Sequence, residues 1–186
     1  MFGGGGVDLV SNNAIEDAIK QTCKKLIERR IHVRTAESCT GGGIVNAITN
    51  VDGASKIIDY CMTAYSPEIK QSVLNIEPNL TKEENIVSKS VSKGMAKGLR
   101  DLCNKRLSIP EKHGELYVYV GITGWIGWAP PKSNLENTAY YSIIFKSRIK
   151  TYCLKTDLSV KDKSINKRVM ILNILQTIYK TVMEES

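Results

Sequence analysis

Apolar residues recur every three to four positions between Ser11 and Arg30. Ile15, Ala18, Ile19, Thr22, Cys23, Leu26 and Ile27 share one face of a predicted helix that Ser11 or Asn12 can cap. The period changes at Ile31, where the β-branched stretch Ile31 to Thr35 predicts a strand. A small-residue helix is expected after the glycine run and through about Thr49, and Asp59 to Tyr65 reads as another strand. Ser66-Pro67-Glu68 is a helix start, with a cap, a proline in the first turn and an acid near the positive helix end; that helix runs to about Leu74. Residues 75–85 read as a loop. Val87 to Lys105 predicts a helix with Val91, Met95, Leu99, Leu102 and Cys103 inward. Glu115 to Thr123 predicts a central strand, Gly124 to Glu136 a loop, and 137–146 with 148–156 an antiparallel pair. Ser164 to Met183 closes the chain as a helix burying Val169, Leu172, Leu175, Ile178 and Val182. Helices alternating with strands, then a hairpin, predict a three-layer α/β/α sandwich around a mixed sheet.

The 186 residues suit one domain, assigned to 11–186, and an apolar share of 42% is enough for a core. The first ten residues, rich in glycine, read as a flexible arm or an appended remnant. No window has the length of a membrane span, and no signal peptide is visible at the start. The net charge of +7 is spread along the chain rather than blocked, which fits a solvated surface better than nucleic-acid binding. Five widely spaced cysteines and two histidines, with no C-x-x-C pair, give poor material for a metal site. They read as reduced thiols of a cytoplasmic protein.

The strongest local signal is Ser38 at a strand-to-helix turn, with Gly41, Gly42 and Gly43 just behind it. Such a turn lifts a side chain off the sheet edge and aims backbone N–H groups, and the positive end of a helix, at whatever lies there. A plain glycine-rich helix start, capped by Ser38 and Thr40, would have the same residues. The segment lacks the Gly-Lys-Ser/Thr ending of a P-loop and the G-x-S-x-G of a nucleophile elbow.

Ala36-Glu37-Ser38-Cys39-Thr40-Gly41-Gly42 resembles the signature of the CinA C-terminal domain family of nicotinamide-nucleotide amidohydrolases. The likeness continues at Val51-Asp52-Gly53-Ala54-Ser55, at Thr63-Ala64-Tyr65-Ser66-Pro67-Glu68-Ile69-Lys70-Gln71, at Val87-Ser88 and at Gly121-Ile122-Thr123-Gly124, and spans roughly residues 11–183. The resemblance implies a serine amidase of the same α/β/α fold. In it Ser38 is the nucleophile, Lys70 its base and Tyr65 a bridging hydroxyl; Glu37, Cys39, Thr40, Gly41, Gly42, Thr123, Gly124 and Lys163 are expected to bind substrate. It implies deamidation of nicotinamide mononucleotide to nicotinate mononucleotide and ammonia, with no cofactor or metal, by a homodimer. A lysine base must be neutral, which requires desolvation or a neighbouring positive charge such as a pyridinium ring.

The sequence departs from the family where a glycine-rich loop is expected. Gly124-Trp125-Ile126-Gly127-Trp128-Ala129-Pro130-Pro131 is bulkier and stiffer, and Lys163 and Lys167 stand where arginines are expected. A lysine keeps the charge but loses the bidentate fork. The alternative expectation is therefore a catalytically impaired nucleotide-binding or regulatory homologue of the same fold.

Overall fold

The computed structural model describes residues 5–131, 133–157 and 159–186. Five strands form one mixed sheet: β1 (Ile31–Glu37), β2 (Cys61–Thr63), β3 (Leu116–Trp125), β4 (Thr138–Phe145) and β5 (Arg148–Lys155), in the order β2-β1-β3-β4-β5. β1 is parallel to both β2 and β3, while β3, β4 and β5 pair antiparallel in sequence. Because the side-chain period of a strand is two, the inner strands feed two cores. Val33, Val118, Val120, Ile122, Ile143 and Phe145 point to one face, which α1 (Gly5–Glu28), α2 (Gly43–Thr49) and α5 (Lys163–Glu185) cover. Ala36, Tyr117, Tyr119 and Ile144 point to the other. There they meet α4 (Lys89–Asp101) and the segment carrying Leu74 and Ile76, which follows the short helix α3 (Pro67–Ser72). This is the expected three-layer sandwich.

α4 lies so close to β3 that a Cβ on Gly121 would collide with the backbone of Ser92 and Ala96. Ser92 Oγ and Ser142 Oγ share a hydrogen bond of 2.9 Å at this contact. On the same face Arg34 is buried, paired with Asp59 and hydrogen-bonded to Tyr119 Oη at 2.9 Å. His32 stacks on Tyr117 with ring centroids 4.4 Å apart.

Several boundaries differ from expectation. α1 starts at Gly5, so residues 5–10 of the expected arm are helical, and Ser11 and Asn12 lie inside the helix instead of capping it. Extending a formed helix costs far less than starting one, and no proline interrupts 5–11. Residues 1–4 of the arm lie outside the described residues. The loop at 75–85 holds a single 3₁₀ turn, Pro78–Thr81, and α4 ends in a π-helical turn, Leu102–Arg106. In α5, Val169 and Leu172 are half-buried, and Met170, Ile171 and Ile174 join Leu175, Ile178 and Val182 in the core. Among the described residues no helix is long and apolar enough to cross a membrane.

Candidate active site

The chain leaves β1 towards β2 by way of α2 on one face, then passes back over β1 by way of α4 on the other face to reach β3. The ends of β1 and β3 therefore flank a topological switch point, where open α/β sheets form a crevice. Ser38 stands there. Its amide continues the ladder by donating to the Ile122 carbonyl at 3.1 Å, and the Ala64 amide does the same to the Glu37 carbonyl at 2.7 Å. Ser38 thus sits between the extensions of both neighbouring strands.

Lys70 reaches this point from α3. Ser66 caps that helix by accepting from the Ile69 amide, and Pro67 sets its first turn. The Lys70 side chain turns back under the helix start and is 1% exposed. Nζ lies 2.8 Å from the Ala64 carbonyl, 2.9 Å from the Tyr65 carbonyl and 3.2 Å from Ser38 Oγ. Burial lowers its pKa from 10.5 to about 8, against smaller opposing effects of Cys39 and Glu68. The three oxygens suit the three N–H donors of an ammonium and, once a proton is lost, two N–H donors for the carbonyls with a lone pair facing the Ser38 hydroxyl. In that state the Ser38–Lys70 hydrogen bond runs from serine to lysine.

A cavity of about 150 Å³ opens on this pair, lined by Ser38, Cys39, Tyr65, Lys70, Ile86, Val87, Thr123, Gly124, Trp125, Ile126, Trp128 and Lys163. Seven expected site residues therefore share one wall. Thr123 donates its hydroxyl to the Ile86 carbonyl at 2.7 Å, which leaves oxygen lone pairs and no proton for a ligand. Cys39 is buried, and burial pushes its thiol up to about 12, so it remains protonated. Lys163, of this same chain, also lines a second groove of about 670 Å³ between α1, α2 and α5, together with Lys20, Lys167 and Arg168.

Other expected residues stand elsewhere. Glu37 is fully buried on the far side of β1; its carboxylate accepts from the amides of Ile44 and Val45 and from Thr35 Oγ1. It caps α2, so the positive end of that helix serves Glu37 and is not presented to a ligand. Gly41 and Gly42 have φ of +63° and +86°, a left-handed pair that only glycine takes without strain, and they shape the turn instead of lining the cavity. Thr40 is 1% exposed beneath that turn and likewise does not line the cavity. Of the turn amides, those of Ser38, Gly41 and Gly43 are engaged with Ile122, Ser38 and Thr40. The amides of Cys39, Thr40 and Gly42 have no acceptor among the described residues. Tyr65 is 66% exposed at the cavity mouth. Lys70 meets its backbone carbonyl and reaches Ser38 directly, so no phenol bridges the pair.

Sequence reasoning missed Ile86, Val87 and Ile126 as lining residues, and read Trp125 as loop although β3 runs through it. The alternation of Val118, Val120 and Ile122 carries on to Gly124 in strand register. That alternation was the signal available; Gly124 faces the backbone of Thr138 and Ala139 so closely that a Cβ would overlap them, which makes it a strand glycine and not a loop one.

A buried serine–lysine pair thus stands at the switch point of a mixed α/β/α sandwich. Comparison with known proteins gives the family: residues 15–112 match the model of the CinA C-terminal domain, and the chain belongs to that family. A putative competence-damage inducible protein of Caldicellulosiruptor bescii is 33% identical over 151 residues, 75% of this chain and 35% of that protein. The chain thus spans about a third of the length of such relatives. The MG115 homolog of Mycoplasma pneumoniae is 28% identical over 88% of this chain and 96% of its own length. Among solved structures, a CinA superfamily protein from Klebsiella pneumoniae shares the fold with a TM-score of 0.74 at 17% identity, over 91% of this chain and 98% of that one. The CihA protein of Agrobacterium tumefaciens gives 0.66 at 19% identity, over 96% of both chains.

Proposed function

We propose that the chain is a serine amidase that deamidates nicotinamide mononucleotide to nicotinate mononucleotide and ammonia. The observation that carries this reading is the buried Lys70 amine 3.2 Å from Ser38 Oγ, with its two other contacts both carbonyl oxygens. Shielded from water, the amine loses its proton more readily than an exposed lysine, and a neutral amine beside a hydroxyl is a general base.

In the proposed reaction Ser38 Oγ attacks the carboxamide carbon as its proton passes to Lys70 Nζ. The carbonyl oxygen becomes an oxyanion, for which the amides of Cys39 and Thr40 are the donors at hand. Collapse of the tetrahedral adduct breaks the C–N bond, and Lys70 returns the proton to the departing ammonia. Water then attacks the acyl-serine as one of its protons passes to Lys70; Lys70 returns that proton to Ser38 Oγ as the ester bond breaks, and the acid released gives its own proton to solvent. A cavity of about 150 Å³ accommodates a ring with its carboxamide. The ribose phosphate must lie outside it, and Lys163, which lines both this cavity and the larger groove, stands on that route.

Replacing Ser38 with alanine is the direct test. Ammonia release from nicotinamide mononucleotide by the wild type should vanish in Ser38→Ala, while the nucleotide still binds, because a nucleophile acts mainly in the transition state. Turnover near the wild-type rate in the variant would remove Ser38 from the reaction. A second reading, nucleotide binding without turnover, draws on the two tryptophans where the family is expected to have glycines. Binding by the wild type with no ammonia released would favour it.

A further inference from the structure

Trp125 and Trp128 are the only tryptophans in the chain, and both line the Ser38–Lys70 cavity. They meet edge to face, with ring centroids 5.6 Å apart and planes at 86°. Trp125 is fixed at the end of β3, opposite Thr138. Between the two rings the chain is pinned twice: Ile126 is buried in the core, and the Gly127 amide donates to the side chain of buried Asn137 at 2.7 Å. Trp128 is therefore held at the mouth, 57% exposed. Tyr65, 66% exposed, lines the same cavity. The two large apolar side chains with the most exposed surface among the described residues thus border one small opening. Leaving two aromatic faces in water forgoes the favourable burial that a flat ligand would restore.

Resting on the amidase reading above, we infer that Trp125 and Trp128 form a slot selective for a flat, positively charged ring bearing the carboxamide. The indole face is negative and attracts a cation held over it, most strongly where water is excluded. A cationic ring so placed also disfavours the ammonium form of Lys70, which its burial already weakens. Ring recognition would thereby help to ready the base. Trp128 acts on specificity by holding the ring and takes no part in the proton transfers.

The test measures binding by calorimetry to the Ser38→Ala protein, so that turnover does not intervene. The two ligands are nicotinamide mononucleotide and its reduced form, which carries the same amide, ribose and phosphate on an uncharged ring. The oxidised nucleotide should bind about tenfold or more tightly than the reduced one. Adding Trp128→Ala should abolish most of that ratio, and Trp128→Phe should keep much of it. Because Trp128 is exposed, its replacement should leave the fold intact, which circular dichroism would check. Equal affinities for the two forms, or a ratio unmoved by Trp128→Ala, would overturn the slot. Ring-charge selectivity without ammonia release by the wild type would keep the slot and remove the amidase. Ammonia release with equal affinities would do the reverse, and failure of both nucleotides to bind would contradict both.

Discussion

At the scale of single residues, the proposed chemistry sets one requirement, that the Lys70 amine lose its proton, and burial eases it. Arginine cannot meet it, since its guanidinium keeps its proton at every working pH. Lys70→Arg is therefore expected to be as damaging as Lys70→Ala, each lowering kcat for ammonia release by about 10²–10⁴-fold, the usual contribution of a general base. An active arginine variant would mean that position 70 supplies positive charge alone. Lys163 calls for a different test, because it lies at the border of the two cavities and its charge is exposed. Lys163→Ala should raise KM for the mononucleotide a few-fold, about what one exposed ion pair contributes, and leave the dephosphorylated riboside nearly unchanged. The wild-type advantage should shrink with added salt. Steady-state kinetics on both substrates checks this; equal effects on the two would place Lys163 outside phosphate recognition.

At the scale of elements, the Ser38 turn is positioned from behind by Glu37. Its carboxylate ties the end of β1 to the first amides of α2, and it is fully buried in doing so. Glu37→Ala would leave the amides of Ile44 and Val45 and Thr35 Oγ1 without their acceptor. A stability loss of about 2 kcal/mol is expected, read by denaturant unfolding, with a fall in amidase rate as the turn loosens. Unchanged stability would show that the cap contributes nothing. This role was not legible in the sequence. A capping box joins positions three apart, whereas Glu37 precedes the amides it serves by seven and eight residues, and only the tertiary turn brings them together. Periodicity did reveal the strands and most helices, because burial on one face writes itself into the spacing of apolar residues. It also revealed α3 with its cap at Ser66, which brings Lys70 into place. It failed where glycine has two meanings: Gly124 serves close packing within a strand, while Gly41 and Gly42 serve a left-handed turn and not ligand contact. Nor does spacing say that Tyr65 points outward while its carbonyl points in.

At the scale of the whole molecule, the order β2-β1-β3 decides where the site lies. Strands leaving β1 to both sides open a crevice at the end of β1, and that is where Ser38, Lys70 and Thr123 converge from three separate stretches of chain. Towards the other end of the same strands Arg34, Asp59, Tyr117 and Tyr119 interlock, with the Arg34 guanidinium 4.7 Å from the Tyr117 ring. The central claim is that neutral Lys70 takes the Ser38 proton, and the pH dependence of kcat/KM for ammonia release from nicotinamide mononucleotide tests it most directly. Burial lowers the Lys70 pKa to about 8, and the base works only after losing its proton. Since kcat/KM reports the free enzyme, it should rise with pH, reach half its maximum near pH 8 and level off above. A rate flat across that range, or one that falls as pH rises through it, would contradict the account.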